Sequence, residues 1–265
     1  MLAMLRPLWQ YRGFILGMVN RDIHGRYKGS VLGGLWALLH PVAMITIYTI
    51  VLSQVMRARL PGLDDGLAYS VFLCAGIFTW TMFAEIISRC VNVFVEHANL
   101  LKKNNFPRTT LPVIVVLSGM VNFVIIFGLF LIFLAVTGRF PGRTLIAMVP
   151  LIALELACAA GLGVFLGTLN VFFRDVQQIT NIGLQFWFWL TPIVYPITIL
   201  PAFARDLLFT WNPLAQLVIA YQNIMLMNRW PDWGDLMDQA VLAVAIVVLG
   251  IVTFRKLAWE LVDEL

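Results

Sequence analysis

Charge is what this chain of 265 residues has least of. Only 12% of its residues are Asp, Glu, Lys or Arg, and none falls between Gly29 and Met56. Cysteine is scarce too: Cys74, Cys90 and Cys158 sit inside apolar stretches at spacings that match no metal motif, which excludes a disulfide framework and a zinc site. No GxxxxGK[ST] loop, HExxH, GxSxG or DxD occurs, so no nucleotide-hydrolysing or catalytic centre is read from the chain, and any energy source lies on another subunit. An inverted repeat and a charged relay are also missing, which argues against a secondary transporter.

What is present is apolar: 61% of residues are hydrophobic and the mean hydropathy is +0.88, values of a polytopic membrane protein. The net charge of +4 fits lipid headgroups and topology better than nucleic acid, because the basic residues flank apolar spans. The boundary is sharpest in RDIHGRYKGSVLGGLWALLHP, Arg21 to Pro41, where Arg21, Arg26 and Lys28 precede the charge-free run. A helix rising 1.5 Å per residue needs about 20 residues to cross a ~30 Å hydrocarbon core, so this run spans. The Lys/Arg excess places its N-terminal side in the cytoplasm.

In chain order, residues 1–28 read as a cytoplasmic interface helix and basic segment. Arg6 and Arg12 argue against a signal peptide, while Met1, Met4, Leu8, Tyr11, Ile15 and Met18 form an apolar stripe suited to the acyl boundary. Transmembrane spans are expected at 29–56, 66–95, 109–138, 144–171, 176–196 and 236–254. Gly29, Gly33 and Ala37 form a small-residue packing face in the first, and Ala159, Gly163 and Gly167 one in the fourth. Glu85 and Arg89, one turn apart in the second span, share a face with Phe78 and Met82, and Trp80 lies nearly opposite. Charges at that depth cost about 2.5–3.5 kcal/mol each, so they form a structural ion pair or touch substrate. Glu155 lies near the outer end of the fourth span, within reach of water. Gln178, Asn181, Gln185, Phe188, Trp189 and Pro192 share one arc of the fifth, with Trp187 projecting the other way. Amides beside rings suit a hydrated carbohydrate path, or equally an aromatic belt with helix contacts. EHANLLKKNNFPR, around 97–106, is a cytoplasmic loop or a docking helix. The run 197–230 reads as a re-entrant outer hairpin with Asn212, Gln216 and Asn223 on one helix side. Six spans with both termini cytoplasmic put eleven Lys/Arg inside and six outside, with Arg139 and Arg143 in the one outer turn that strains the charge rule.

RDIHGRYKGSVLGGLWALLHP, LLKKNNFPR, FFRD, WFWLTPIVYP and WNPL, in this order over nearly the whole length, resemble the permease subunit of type-2 ABC exporters, in the Wzm-like branch for O-antigen or capsular polysaccharide. The resemblance implies an all-α polytopic fold and a homodimer with two copies of a separate ATPase subunit. This chain itself would hold no cofactor, with ATP and Mg on the partner. The substrate would be an undecaprenyl-diphosphate-linked polysaccharide, and no nucleic acid is involved. Asn99, Leu100, Leu101, Lys102, Lys103 and Asn104 would form a coupling helix, and Asn212, Pro213, Gln216 and Asn223 would belong to the outer gate. Arg21, Arg26 and Lys28 would meet the lipid diphosphate, while Phe78, Met82, Gln185, Phe188 and Trp189 would line the channel. A small-molecule permease of the same type, a membrane polyprenyl-phosphate transferase and a membrane scaffold are the competing readings. The transferase would need clustered acids to hold a metal, and the acids here are scattered.

Overall fold

Long runs without charge become long helices, because a backbone removed from water must bond to itself. The computed structural model describes residues 9–26, 30–51, 60, 65–103 and 107–264, which form an all-helical bundle without a strand. Helix α1 is Arg12–Gly25 and α2 is Trp36–Tyr48, the latter preceded by a 3-10 turn Gly33–Leu35. The central helix α3, Ala68–Glu96, is followed by the short α4, Ala98–Lys103, and by α5, Thr110–Val136. Next come α6, Met148–Phe172, α7, Asp175–Leu190, α8, Ala202–Trp211, and α9, Ala215–Met227. The chain closes with α10, Trp233–Leu257, and α11, Glu260–Asp263. Among the described residues, five segments are long and apolar enough to cross a membrane: Gly33–Val51, Ala68–Glu96, Thr110–Val136, Arg143–Phe172 and Trp233–Leu257.

Helix α3 is the hub, packed against α2, α5, α6, α7 and α9. Helix α6 fits between α3 and α10 because it presents glycine to both. A Cβ on Gly167 would stand 2.4 Å from the Cys90 carbonyl oxygen of α3, and one on Gly161 2.8 Å from the Val247 backbone of α10. Gly163 and the buried Ala159 extend this face. The small residues of the first span do not work this way. Gly33 takes φ +50°, which glycine adopts without a Cβ penalty, and nothing lies within 4 Å of it. Its role is to turn the chain into α2, and Gly29 lies outside the described residues.

Part of the apolar stripe of α1 packs on protein. Ile15 and Val19 are buried against Ile114 of α5, and further along Ile23 and Arg26 lie beside Ser118 and Asn122. The helix therefore climbs along α5 over about two turns. Met1, Met4 and Leu8 lie outside the described residues.

Helix α7 has 16 residues, about 24 Å of rise, and breaks at Thr191–Pro192. The irregular strip that follows is enclosed: Thr191 and Ile193 are fully buried. Side chains meet its backbone acceptors. Gln222 Nε2 donates to the Pro192 carbonyl at 3.1 Å and Tyr69 Oη to that of Val194 at 2.6 Å. Non-helical backbone is tolerated at such depth where protein encloses it.

Candidate functional site

The charges expected to pair within one helix do so, and they also join two helices by shorter contacts. Arg26 Nη2 of α1 donates to Glu85 Oε1 of α3 at 2.5 Å, and Arg89 Nη2 donates to Asp22 Oδ2 at 2.8 Å. Asn122 Nδ2 of α5 occupies the second Glu85 oxygen at 2.8 Å. The intrahelical legs are longer, 3.6 Å for Arg89 to Glu85 and 3.7 Å for Arg26 to Asp22. Asp22 and Arg26, like Glu85 and Arg89, are spaced one turn apart with the acid first. Two helices running in opposite directions bring each acid opposite an arginine, and alternating charges attract across both the gap and the turn. The acid-first repetition was the available signal, but nothing local says that α1 reaches α3.

Beside this network lies a cavity of about 320 Å³, where α3 ends and α5 begins. Arg21, Asp22, Arg26 and Arg89 line it with Glu96 and His97. The Arg26 side chain, expected to be open to a diphosphate, is held by two carboxylates. Among the described residues Arg21 donates to the Met18 sulfur, and Lys28 lies outside them.

At the opposite end, Arg139, which strained the charge rule, forms an ion pair with Asp65. That hydrogen bond, helped by the Leu67 N–H, holds the Asp65 carboxyl below its ordinary range against the opposing effect of desolvation. Glu155 is not within reach of water: it is fully buried, and Tyr221 Oη donates to its Oε2 at 2.8 Å. Asn212 is not on a helix face with Gln216 and Asn223, because the chain breaks there between α8 and α9. Its buried amide accepts from Trp187 Nε1 at 2.9 Å and from the Leu214 N–H at 3.0 Å, and donates to the Leu190 carbonyl at 3.1 Å. Pro213 is buried beside it, while Gln216 and Asn223 are partly exposed on α9.

The rings divide differently from the sequence expectation. Phe78 and Met82 are enclosed within the chain, Phe78 edge-on to Phe130 at 5.4 Å, because the hub helix is covered on the face that carries them. Trp80 packs on Phe83, Trp187 and Phe188 at centroid distances of 6.0, 6.3 and 5.7 Å. Phe188 is half-buried there, and Trp189 stands 62% exposed. Gln178, Asn181 and Gln185 are exposed along α7 on the same side as Trp189, next to Ile182 and Phe186. This uncovered amide and aromatic face is continuous over about three turns.

In α4, Leu101 is buried, Leu100 is half-buried, and Asn99 and Lys102 are exposed. Helix α11 packs on α4 and α6, with Leu261 fully enclosed, and Arg108 stacks on Trp259 at 5.9 Å. The Lys103 side chain and Asn104 lie outside the described residues. Among the described residues no cluster of His, Cys, Asp or Glu could hold a metal ion.

The described residues thus form a bundle of apolar helices around one glycine-packed hub, with a short, partly exposed helix between two spans. The chain belongs to the ABC-2 type transporter family, whose model matches residues 14–226. It is 33% identical to the O-antigen export system permease protein RfbA of Myxococcus xanthus, over 94% of this chain and 93% of that protein. It is 29% identical to RfbA of Klebsiella pneumoniae over the same shares, and 22% identical to the polysialic acid transport protein KpsM of Escherichia coli over 89% and 90%.

Proposed function

We propose that this chain is the channel-forming permease subunit of an ATP-driven ABC exporter that moves undecaprenyl-diphosphate-linked polysaccharide of the O-antigen type across the inner membrane. The observation that carries the reading is similarity to O-antigen export permeases over 94% of the chain. Two structural features support it. The first span is 11% buried and leaves Leu35, Leu38, Leu39, Val42 and Ile47 uncovered, a face for a second copy. The exposed face of α7 offers amides for sugar hydroxyls and rings for sugar C–H faces, so weak repeated contacts let a polymer slide. Gln185, Phe188 and Trp189 are the lining residues in this reading.

Two copies of a separate ATPase, holding ATP and Mg, engage α4 through Asn99 and Lys102. Helix α7 makes the sixth crossing, both termini are cytoplasmic, and residues 197–230 form the outer gate. The test is co-purification with the candidate ATPase, followed by ATP turnover in lipid with and without the lipid-linked polysaccharide. A stable complex whose turnover responds to the glycan lipid is expected; a chain that binds no ATPase overturns the reading. The second copy is tested by Val42→Cys. Because the native cysteines are buried, an oxidised dimer of that variant reports α2 against α2.

A further inference from the structure

The charge network and the cavity beside it carry a function together. We infer that the cavity between α1, α3 and α5 is a phosphate-binding site in which Arg89 exchanges Asp22 for a phosphate oxygen. Its lipid-linked form rests on the export reading above; the chemistry of the site does not.

A cavity of about 320 Å³ lies within the range of ligand pockets, roughly 300–1,000 Å³. Its cationic donors are not all in use. Arg89 Nη1 is enclosed without a hydrogen-bond partner, 3.6 Å from the nearest Glu85 oxygen. Arg21 spends a terminal nitrogen on a thioether, a weak acceptor, and makes no ion pair among the described residues. A guanidinium presents a planar fork of donors that matches phosphate oxygens, and an enclosed unused donor is costly until an acceptor arrives. Arg26 also lines the cavity but is no free donor, because Glu85 holds it and Asn122 fixes Glu85.

Asp22 is the competitor. It faces Arg89 from α1 at 2.8 Å, so a phosphate that takes Arg89 must displace it and loosen one of the two ties that hold α1 to α3. Headgroup binding and release of α1 are then one event. The wall that α5 supplies is apolar, with Leu111, Ile114 and Val115, which suits a phosphate that carries a hydrocarbon chain.

The test uses the full chain in phosphatidylcholine nanodiscs, titrated by calorimetry with inorganic pyrophosphate and with farnesyl diphosphate, and repeated with phosphatidylglycerol in the disc as competitor. Arg89→Gln is expected to weaken diphosphate binding at least tenfold and Arg21→Gln severalfold. Asp22→Asn is expected to tighten it severalfold, a gain that mere loss of structure would not produce. Should Arg89→Gln fail to fold, Arg89→Lys keeps the charge but loses the fork and is expected to weaken binding severalfold. Tighter binding of farnesyl diphosphate than of pyrophosphate assigns a lipid-linked ligand, the reverse a soluble one, and equal competition by phosphatidylglycerol the bulk membrane. Affinity that ignores Arg89→Gln, or that is unchanged or weaker in folded Asp22→Asn, overturns the inference. An active polysaccharide exporter with that outcome loses the site alone. A chain that binds diphosphate in the expected pattern but neither exports nor binds an ATPase loses the export reading alone.

Discussion

Two spans of this molecule have the same mean hydropathy and opposite surroundings: the segment Ala68–Glu96 is 78% buried and Gly33–Val51 is 11% buried. Apolar character therefore says that a helix enters the membrane and nothing about whom it meets there, since lipid and protein are equally apolar partners. The difference lies in small and polar residues. Helix α3 receives Gly163 and Gly167 at Cys90, surrounds Trp80 with rings and binds three charged or amide groups through Glu85 and Arg89. The first span offers large aliphatic side chains, and its glycines touch nothing within the chain.

The comparison breaks most readily at tryptophan. Trp80→Ala in the enclosed helix is expected to cost about 3–5 kcal/mol, whereas Trp36→Ala on the uncovered one stays within about 0.5 kcal/mol, both read by thermal unfolding in detergent. Equal losses would mean that burial in the single chain does not govern stability. Glycine gives the next largest contrast. Gly167→Ala drives a methyl into the Cys90 carbonyl and is expected to lose about 1–3 kcal/mol, while Gly128→Ala on α5, with nothing within 4 Å, is neutral or gains about 0.4–1 kcal/mol.

A double-mutant cycle on Arg26→Gln and Glu85→Gln sharpens the polar half of the contrast. Contact at 2.5 Å predicts a coupling energy of about 0.5–3 kcal/mol, and Arg26→Gln with Arg12→Gln, which stacks on Trp9 instead, predicts additivity. The smallest effect concerns Asp65. Its folded pKa lies below the unfolded one, so its contribution is present above the unfolded value and is lost as pH falls through the folded value, below about pH 4. Because the pair is partly exposed, Asp65→Asn is expected to flatten only a shallow acid limb of the stability profile.

The all-helical class and the family were legible from the charge-free runs and from motifs such as FFRD and WFWLTPIVYP. The amide row Gln178, Asn181 and Gln185 was legible as one face of α7, because a helix period needs no partner to be read. The ring assignments were not. Phe78 shares a face with Glu85, but that face meets α5 and α1, a fact of packing between helices that are distant in sequence. Trp187 projects away from the amide row, as the helix period has it, but its partners Trp80 and Asn212 come from helices that the period does not name. Tyr221 and Asn122 gave no signal at all. A phenol or an amide in an apolar run becomes informative only once its carboxylate partner is in place.

By itself, the sequence determined that the chain lives in a membrane and which side chains are polar enough to need company there. These follow from local properties: desolvation cost, helix period, and the turn chemistry of Pro and Gly. Tertiary structure alone decided which polar groups keep company. It set Arg26 on Glu85 and Arg89 on Asp22, made α3 the hub and left α2 uncovered. In an apolar medium the choice of neighbour turns on close packing and hydrogen bonds between helices far apart in sequence, and no local property of either helix contains that choice.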